Sequence, residues 1–250
     1  MTIVLVSSLT GLCILAVVVL IRGQGPPNTV FAIYASGAGI LFAGAIAAFY
    51  RALAIGQMGR VAPIMAVAPA IPVTYGLLRG ERPGVLQATG IALILIGVTL
   101  AALERHGNAP QRRRFGTGIG LALVASGCFG VGIIGLDQAS KSDPFWAALV
   151  LRAATTATVV FAVALTAQFE RAPRSTLPGL WLIGLLDATG VCLFAVAADH
   201  LPVAVVATTG GLVPAVIVVL ARVILHERLE RIQYLGGAAA LLGVVLVSAW

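Results

Sequence analysis

Residues 81–100, ERPGVLQATGIALILIGVTL, return as residues 227–246, ERLERIQYLGGAAALLGVVL. Glu81, Arg82, Gln87, Gly90, Gly97, Val98 and Leu100 recur as Glu227, Arg228, Gln233, Gly236, Gly243, Val244 and Leu246, and every step, from 81 to 227 through 100 to 246, is 146 residues. A single offset for the whole set points to duplicated architecture. In both copies an apolar segment runs into the Glu-Arg pair, a short polar turn follows, and a second apolar segment carries the glutamine and both glycines. Two hairpins of one plan result, and their period is far too long for a solenoid.

The hairpins belong in a bilayer. Of 250 residues, 60% are hydrophobic and 10% charged, whereas a soluble domain carries about a quarter charged residues. The net charge of +7 does not imply a nucleic-acid partner, because the basic residues sit in short gaps between apolar runs and form no stripe. Cys13, Cys128 and Cys192 lie far apart, each inside an apolar run, and read as small core residues, not as a disulfide framework or a thiolate metal site.

A spanning helix needs about 20 apolar residues, and nine stretches meet that length: A (3–21), B (30–54), C (61–78), D (85–103), E (116–135), F (144–166), G (177–198), H (203–225) and I (232–250). A has no basic n-region and is longer than the apolar core of a signal peptide, so it reads as a span. The polar linker 104–115 divides a first repeat, 1–103, with four helices, from a second, 116–250, with five. The offset matches A with F, B with G, C with H and D with I, and leaves E without a partner. A five-plus-five design whose first helix is missing accounts for this. An odd number of crossings per copy sets tandem copies inverted in the membrane, as in two-fold transporter bodies.

Over nearly its whole length the chain resembles the drug/metabolite transporter superfamily, specifically the EamA-type permeases. The resemblance is carried by Tyr50-Arg51-Ala52-Leu53 leading to Val61-Ala62-Pro63, then Gly80-Glu81-Arg82 and the run from Gly90 to Val98. In the second half Gly184-Leu185-Leu186-Asp187-Ala188 leads through Leu212-Val213-Pro214 to Glu227-Arg228 and Gly243-Val244. The family pattern has ten helices where nine are read here, and the glycine before the second Glu is His226. The resemblance implies an all-α integral membrane protein of the cell membrane, two inverted repeats around a central cavity, moving a small organic solute, an amino acid or related compound being the first guess, with no cofactor. It also implies a C-terminus on the inside. The charge count points the other way: counted alternately, one set of gaps carries 11 arginines and the other Arg22, Arg79, Arg82 and Lys141, which places Met1 inside.

Asp187, near the middle of G, is the first candidate site residue: a carboxylate there must face protein or water. It reads either as a substrate or proton-coupling contact or as an interhelical hydrogen bond fixing G. Arg152, a third of the way along F, either pairs with a carboxylate or anionic substrate, or snorkels to the interface. Arg51 closes B beside Tyr50 as an anchor or a cavity-mouth charge. Asp137 and Lys141 flank the gap between E and F and read as solvated. C contains Pro63, Pro69 and Pro72, and H contains Pro214 a turn beyond Thr208 and Thr209. Prolines remove N–H groups and free carbonyls, which in lipid is tolerated only against protein or a wet cavity, so C and H are expected to line the path. Met65, Tyr34 and Phe194 are the apolar wall candidates. Glu81 and Glu227 mark turns and are expected to cap the helix that follows each. Gly116 and Gly120 are expected to let E pack closely on a neighbour.

Competing functions have less in the sequence. There is no His-Glu-x-x-His, Gly-x-Ser-x-Gly or phosphate loop for an intramembrane enzyme, and His226-Glu227 lacks the second histidine. A non-transporting partner or scaffold subunit has no need of broken helices with polar centres. The partners expected are the bilayer and a small-molecule substrate, with homodimerisation left open and no metal.

Overall fold

The computed structural model describes residues 2–55, 64–65, 67–102, 115–166, 177–210 and 231–248, and among these it has nine helices and no strand. They are α1 (Thr2–Arg22), α2 (Thr29–Ile55), α3 (Ala70–Leu78), α4 (Val85–Ala102), α5 (Phe115–Ser140), α6 (Pro144–Thr166), α7 (Leu177–His200), α8 (Val203–Gly210) and α9 (Arg231–Ser248). Of these, α2, α5, α6 and α7 are long and apolar enough to cross a bilayer.

Local chemistry sets the ends. Gly23, at φ 63°, closes α1 in the left-handed conformation that favours glycine. Asn28 Oδ1 accepts from the Phe31 N–H at 3.0 Å and starts α2. Asp143 accepts from both Phe145 and Trp146 N–H groups at 2.9 Å, and Pro144 stands at the first helical position of α6, where no N–H is needed. E continues to Ser140 as α5, beyond the expected end at 135. The extension carries Asp137 into the helix, where it is 0% exposed and holds Lys141 at 3.2 Å and Gln138 at 2.8 Å. The expectation of a solvated Asp137 is therefore corrected: one helical turn places Lys141 over it.

The chain divides into two compact units, one of residues 1–43 and 132–201, the other of 44–131 and 202–250. The boundaries fall within α2, within α5 and between α7 and α8. In the first unit α1 packs on α6 and α7, and α6 on α7, around Leu15, Phe31, Ala35, Leu136 and Leu151. In the second, α4 packs along α9 and α8 lies against α3 and α4, around Val73, Ile91, Ile94, Val98, Val205 and Ala240.

The α4–α9 seam shows what the duplicated glycines do. A Cβ on Gly97 would meet Ala240 N at 2.5 Å and Gly236 O at 2.6 Å; a Cβ on Gly243 would meet Gly90 O at 2.7 Å and Ile94 N at 2.9 Å. Under the 146-residue step, 97 becomes 243, 90 becomes 236 and 94 becomes 240, so each contact is the image of the other. Contacts rise along α4 as they fall along α9, so the two run antiparallel. Both helices have 18 residues, starting at 85 and 231 and ending at 102 and 248, again steps of 146. In a bilayer, where burying apolar side chains against one another gains nothing over lipid, such backbone approach is a main source of helix adhesion. Gly120 was expected to work this way on α5, but an added Cβ there meets nothing within 4 Å. Further along, Gly132 and Gly135 approach α2 at Phe42 and Ala38, and Gly130 approaches Ile71 of α3.

Candidate functional site

The chemistry of the first unit gathers on one pair. Arg152 lies two turns into α6 and donates from Nη2 to Asp187 Oδ2 on α7. The two partners are unequally enclosed: the Arg152 side chain is 8% exposed and that of Asp187 50%. Arg152 does not snorkel. Its Nε is buried without a hydrogen-bond partner, and α1 passes over it at Gly11, where a Cβ would stand 3.3 Å from Gly184 O and 3.4 Å from Arg152 Nε. Glycine on α1 thus makes room for the guanidinium between three helices. On α6 the next turn is held by Thr155, whose hydroxyl donates to Gly39 O of α2 at 3.0 Å and to Leu151 O at 2.8 Å. Gly39 is needed there, because a side chain would run into Leu151 O and Ala154 Cβ.

Asp187 sits on an exposed and otherwise apolar face of α7 with Ile183, Leu186 and Gly190. A carboxylate at the centre of a spanning helix costs about 2.5–3.5 kcal/mol on insertion scales. Pairing with Arg152 offsets part of that cost, and burial of Arg152 in turn requires an anion beside it. Neither residue recurs at the 146-residue step: one step back from 152 is Val6, and from 187 is Leu41.

The remaining sequence candidates fall in the second unit or outside the described residues. Pro63 and Pro214 are outside. Met65 is half-buried, and the chain turns between it and α3 through i to i−3 bonds, Ala68 N to Met65 O at 3.0 Å and Ala70 N to Val67 O at 2.9 Å. Helix C is therefore interrupted where Pro69 stands as the N-cap of α3. Pro72 is fully buried in the first turn of α3, where a helix has no N–H bond to lose. It restarts the helix and frees no carbonyl. On α8, Val203–Thr208 are all buried. The Thr208 hydroxyl donates to Ala204 O at 2.8 Å and that of Thr209, half-buried, to Val205 O at 2.9 Å, so both donors are engaged within their own helix. Arg51 is exposed near the end of α2, Tyr34 is 45% exposed, and Phe194 packs on the first unit's core.

Glu81 does cap a helix, though not the next one. Its carboxylate accepts from Val203 N at 3.0 Å and Ala204 N at 3.3 Å, closing the start of α8, 122 residues away. Gly76 leaves the space for it, since a Cβ there would collide with Glu81 Oε2. The start of α4 is capped by the motif glutamine, Gln87 Oε1 accepting from Gly84 N at 3.3 Å. Capping of α4 was legible in the Gly84-x-x-Gln87 spacing; that of α8 was not, because a long-range partner leaves no mark on local sequence. Glu227 lies outside the described residues.

A helical membrane protein is defined by these spans and by an ion pair between two of them. Comparison with known proteins gives its family. The EamA-like transporter family matches residues 116–249, and the chain belongs to it: it is an integral membrane protein of a transporter family, not of an enzyme family. The crystal structure of another protein overlays 99% of this chain and 86% of its own with a TM-score of 0.76 at 16% identity, which establishes the shared fold. No curated protein matches.

Proposed function

We propose that the chain is a permease that moves a small organic metabolite across the cell membrane by alternating access between two inverted repeats, with nine spans built on the 146-residue duplication. The observation that carries this reading is the antiparallel α4–α9 pair, whose glycine contacts map onto each other under the offset that relates the repeats. Inverted repeats of this kind place a solute site near the bilayer midplane and expose it to each side in turn. Membership of a transporter family supports it independently. Arg152 and Asp187 are the residues assigned to the solute. The interrupted helix C and the exposed end of α8, from Thr209 onward, are assigned to the path.

The experiment is uptake or counterflow of candidate metabolites, amino acids first, into vesicles containing the purified chain, with Asp187→Asn beside it. Saturable, protein-dependent movement that Asp187→Asn abolishes or uncouples, with insertion intact, is the expected result. Normal, pH-independent transport by the variant removes Asp187 from the mechanism.

A further inference from the structure

Resting on that reading, and deepening it at the same residues, we propose that Arg152 is the binding group for a monovalent carboxylate solute, and that the solute enters by displacing Asp187, which takes up one proton as it leaves. The argument begins with which partner can move. Arg152 is enclosed, its side chain 8% exposed, with its Nε packed beneath α1 at Gly11. Asp187 is half exposed on the open face of α7. Breaking the pair therefore frees a site on the arginine and sends the carboxylate outward. A cationic solute would require the opposite, withdrawal of a buried guanidinium.

Geometry favours a carboxylate at the vacated position. A guanidinium offers five donors in a planar fork that matches two oxygens, yet the structure shows a single bond from Nη2 to Asp187, while Nε–H is buried and unpaired. A ligand carboxylate in the place of Asp187 pairs its second oxygen with this Nε–H beside Nη2.

Charge then fixes the proton. With Asp187 ionised the pair is neutral. Adding a monovalent anion beside it leaves an uncompensated negative charge in the membrane interior, which is strongly disfavoured. If Asp187 accepts a proton the balance closes: one carboxylate and one proton from water give Arg152 paired with the solute and Asp187 as the neutral acid. The charged and titratable groups on the elements packed against Asp187 do not substitute for it. Among the described side chains, α6 brings only Arg152; α1 brings Cys13 and Arg22, the latter 3.6 Å from Asp143 and bonded to Gln24; α7 itself has Cys192, and Asp199 and His200 held 3.1 Å apart at its end.

The test is calorimetric binding to the purified full chain, using acetate, lactate, benzoate and gluconate as probes, each paired with its uncharged amide, and the zwitterion alanine and the cation butylammonium as alternatives. Each titration is run in two buffers of different ionisation enthalpy, so that the proton count is read directly. At least one carboxylate is expected to bind, with its amide silent, about one proton taken up per anion, and affinity falling about tenfold for each unit rise in pH, the slope of one linked proton. Asp187→Asn should bind the same anion more tightly with no proton uptake and a flat pH profile; Arg152→Gln should not bind it, and Arg152→Lys should bind it weakly with the proton count retained. Should Asp187→Asn fail to fold, the proton count of the natural chain still decides. The proposal is overturned by carboxylate binding without proton uptake, by alanine or butylammonium binding in place of the carboxylates, or by silence across the carboxylates at pH 5. Saturable vesicle transport of a cation or zwitterion alongside any of these would leave the permease reading standing and this inference alone refuted.

Discussion

Both compact units hold helices together in lipid through close glycine contacts, and the first adds a charged pair between helices. In the second, α4 and α9 meet backbone to backbone through Gly97 and Gly243, each the image of the other, and the core is apolar. In the first, the duplication is broken: where one repeat has Val6 and Leu41, the other has Arg152 and Asp187. The 146-residue symmetry is kept where helices only adhere and lost where charge is buried. A pair of charges is a poor way to stabilise a membrane helix bundle, since apolar replacements of the same volume are commonly as stable. In the proposed permease the pair serves the solute instead.

Six substitutions, in four tests, break or sharpen that contrast. The largest effect belongs to Arg152→Gln, which removes the cation and leaves Asp187 without its partner; vesicle transport should fall by more than a hundredfold, on the order of 3 kcal/mol of lost stabilisation, while expression and insertion hold. Next, Gly97→Ala should destabilise the second unit by about 1–3 kcal/mol through overpacking against the Ala240 backbone, and Gly243→Ala should cost a similar amount. Thermal unfolding in detergent reads both, and a large difference between them would deny the equivalence of the two contacts. Smaller again, Glu81→Gln keeps the shape of the α8 cap but removes its charge, and should cost about 1 kcal/mol with transport retained. The smallest is a pattern of protection: Thr209→Cys should react with a water-soluble thiol reagent and Thr208→Cys should not, because Thr208 is fully enclosed in α8.

How far the sequence led can be followed residue by residue. The helix limits were largely legible, because signals such as Asp143-Pro144 and Gly23 act on their own neighbours. The scaffold glycines were visible in the duplication, although sequence could not tell Gly97, which a neighbour's backbone crosses, from Gly120, which meets open space. The site was half legible. Asp187 and Arg152 stood out because ionisable groups in a span are expensive, but 35 residues separate them, and no periodicity predicts that α6 and α7 would bring them together or that Gly11 of α1 would clear the space. Asp137 was misread because the end of α5 was placed too early, and a carboxylate just beyond a helix and one inside its last turn differ in burial far more than in sequence. Pro72 was read as a breaker for want of the turn at Pro69, which makes it the start of a helix.

The central claim is that the Arg152–Asp187 pair borders a watered solute route and not lipid. Gly190 lies one turn from Asp187 on the same exposed face, and an added Cβ meets nothing within 4 Å, so Gly190→Cys can be placed there, with Cys13, Cys128 and Cys192 replaced by serine, without disturbing the pair. In native membranes this cysteine should be modified by a charged, membrane-impermeant thiosulfonate, and a transported solute should protect it. Modification only by a lipid-soluble maleimide, with the charged reagent inert from both sides, would place that face of α7 in the hydrocarbon and contradict the account.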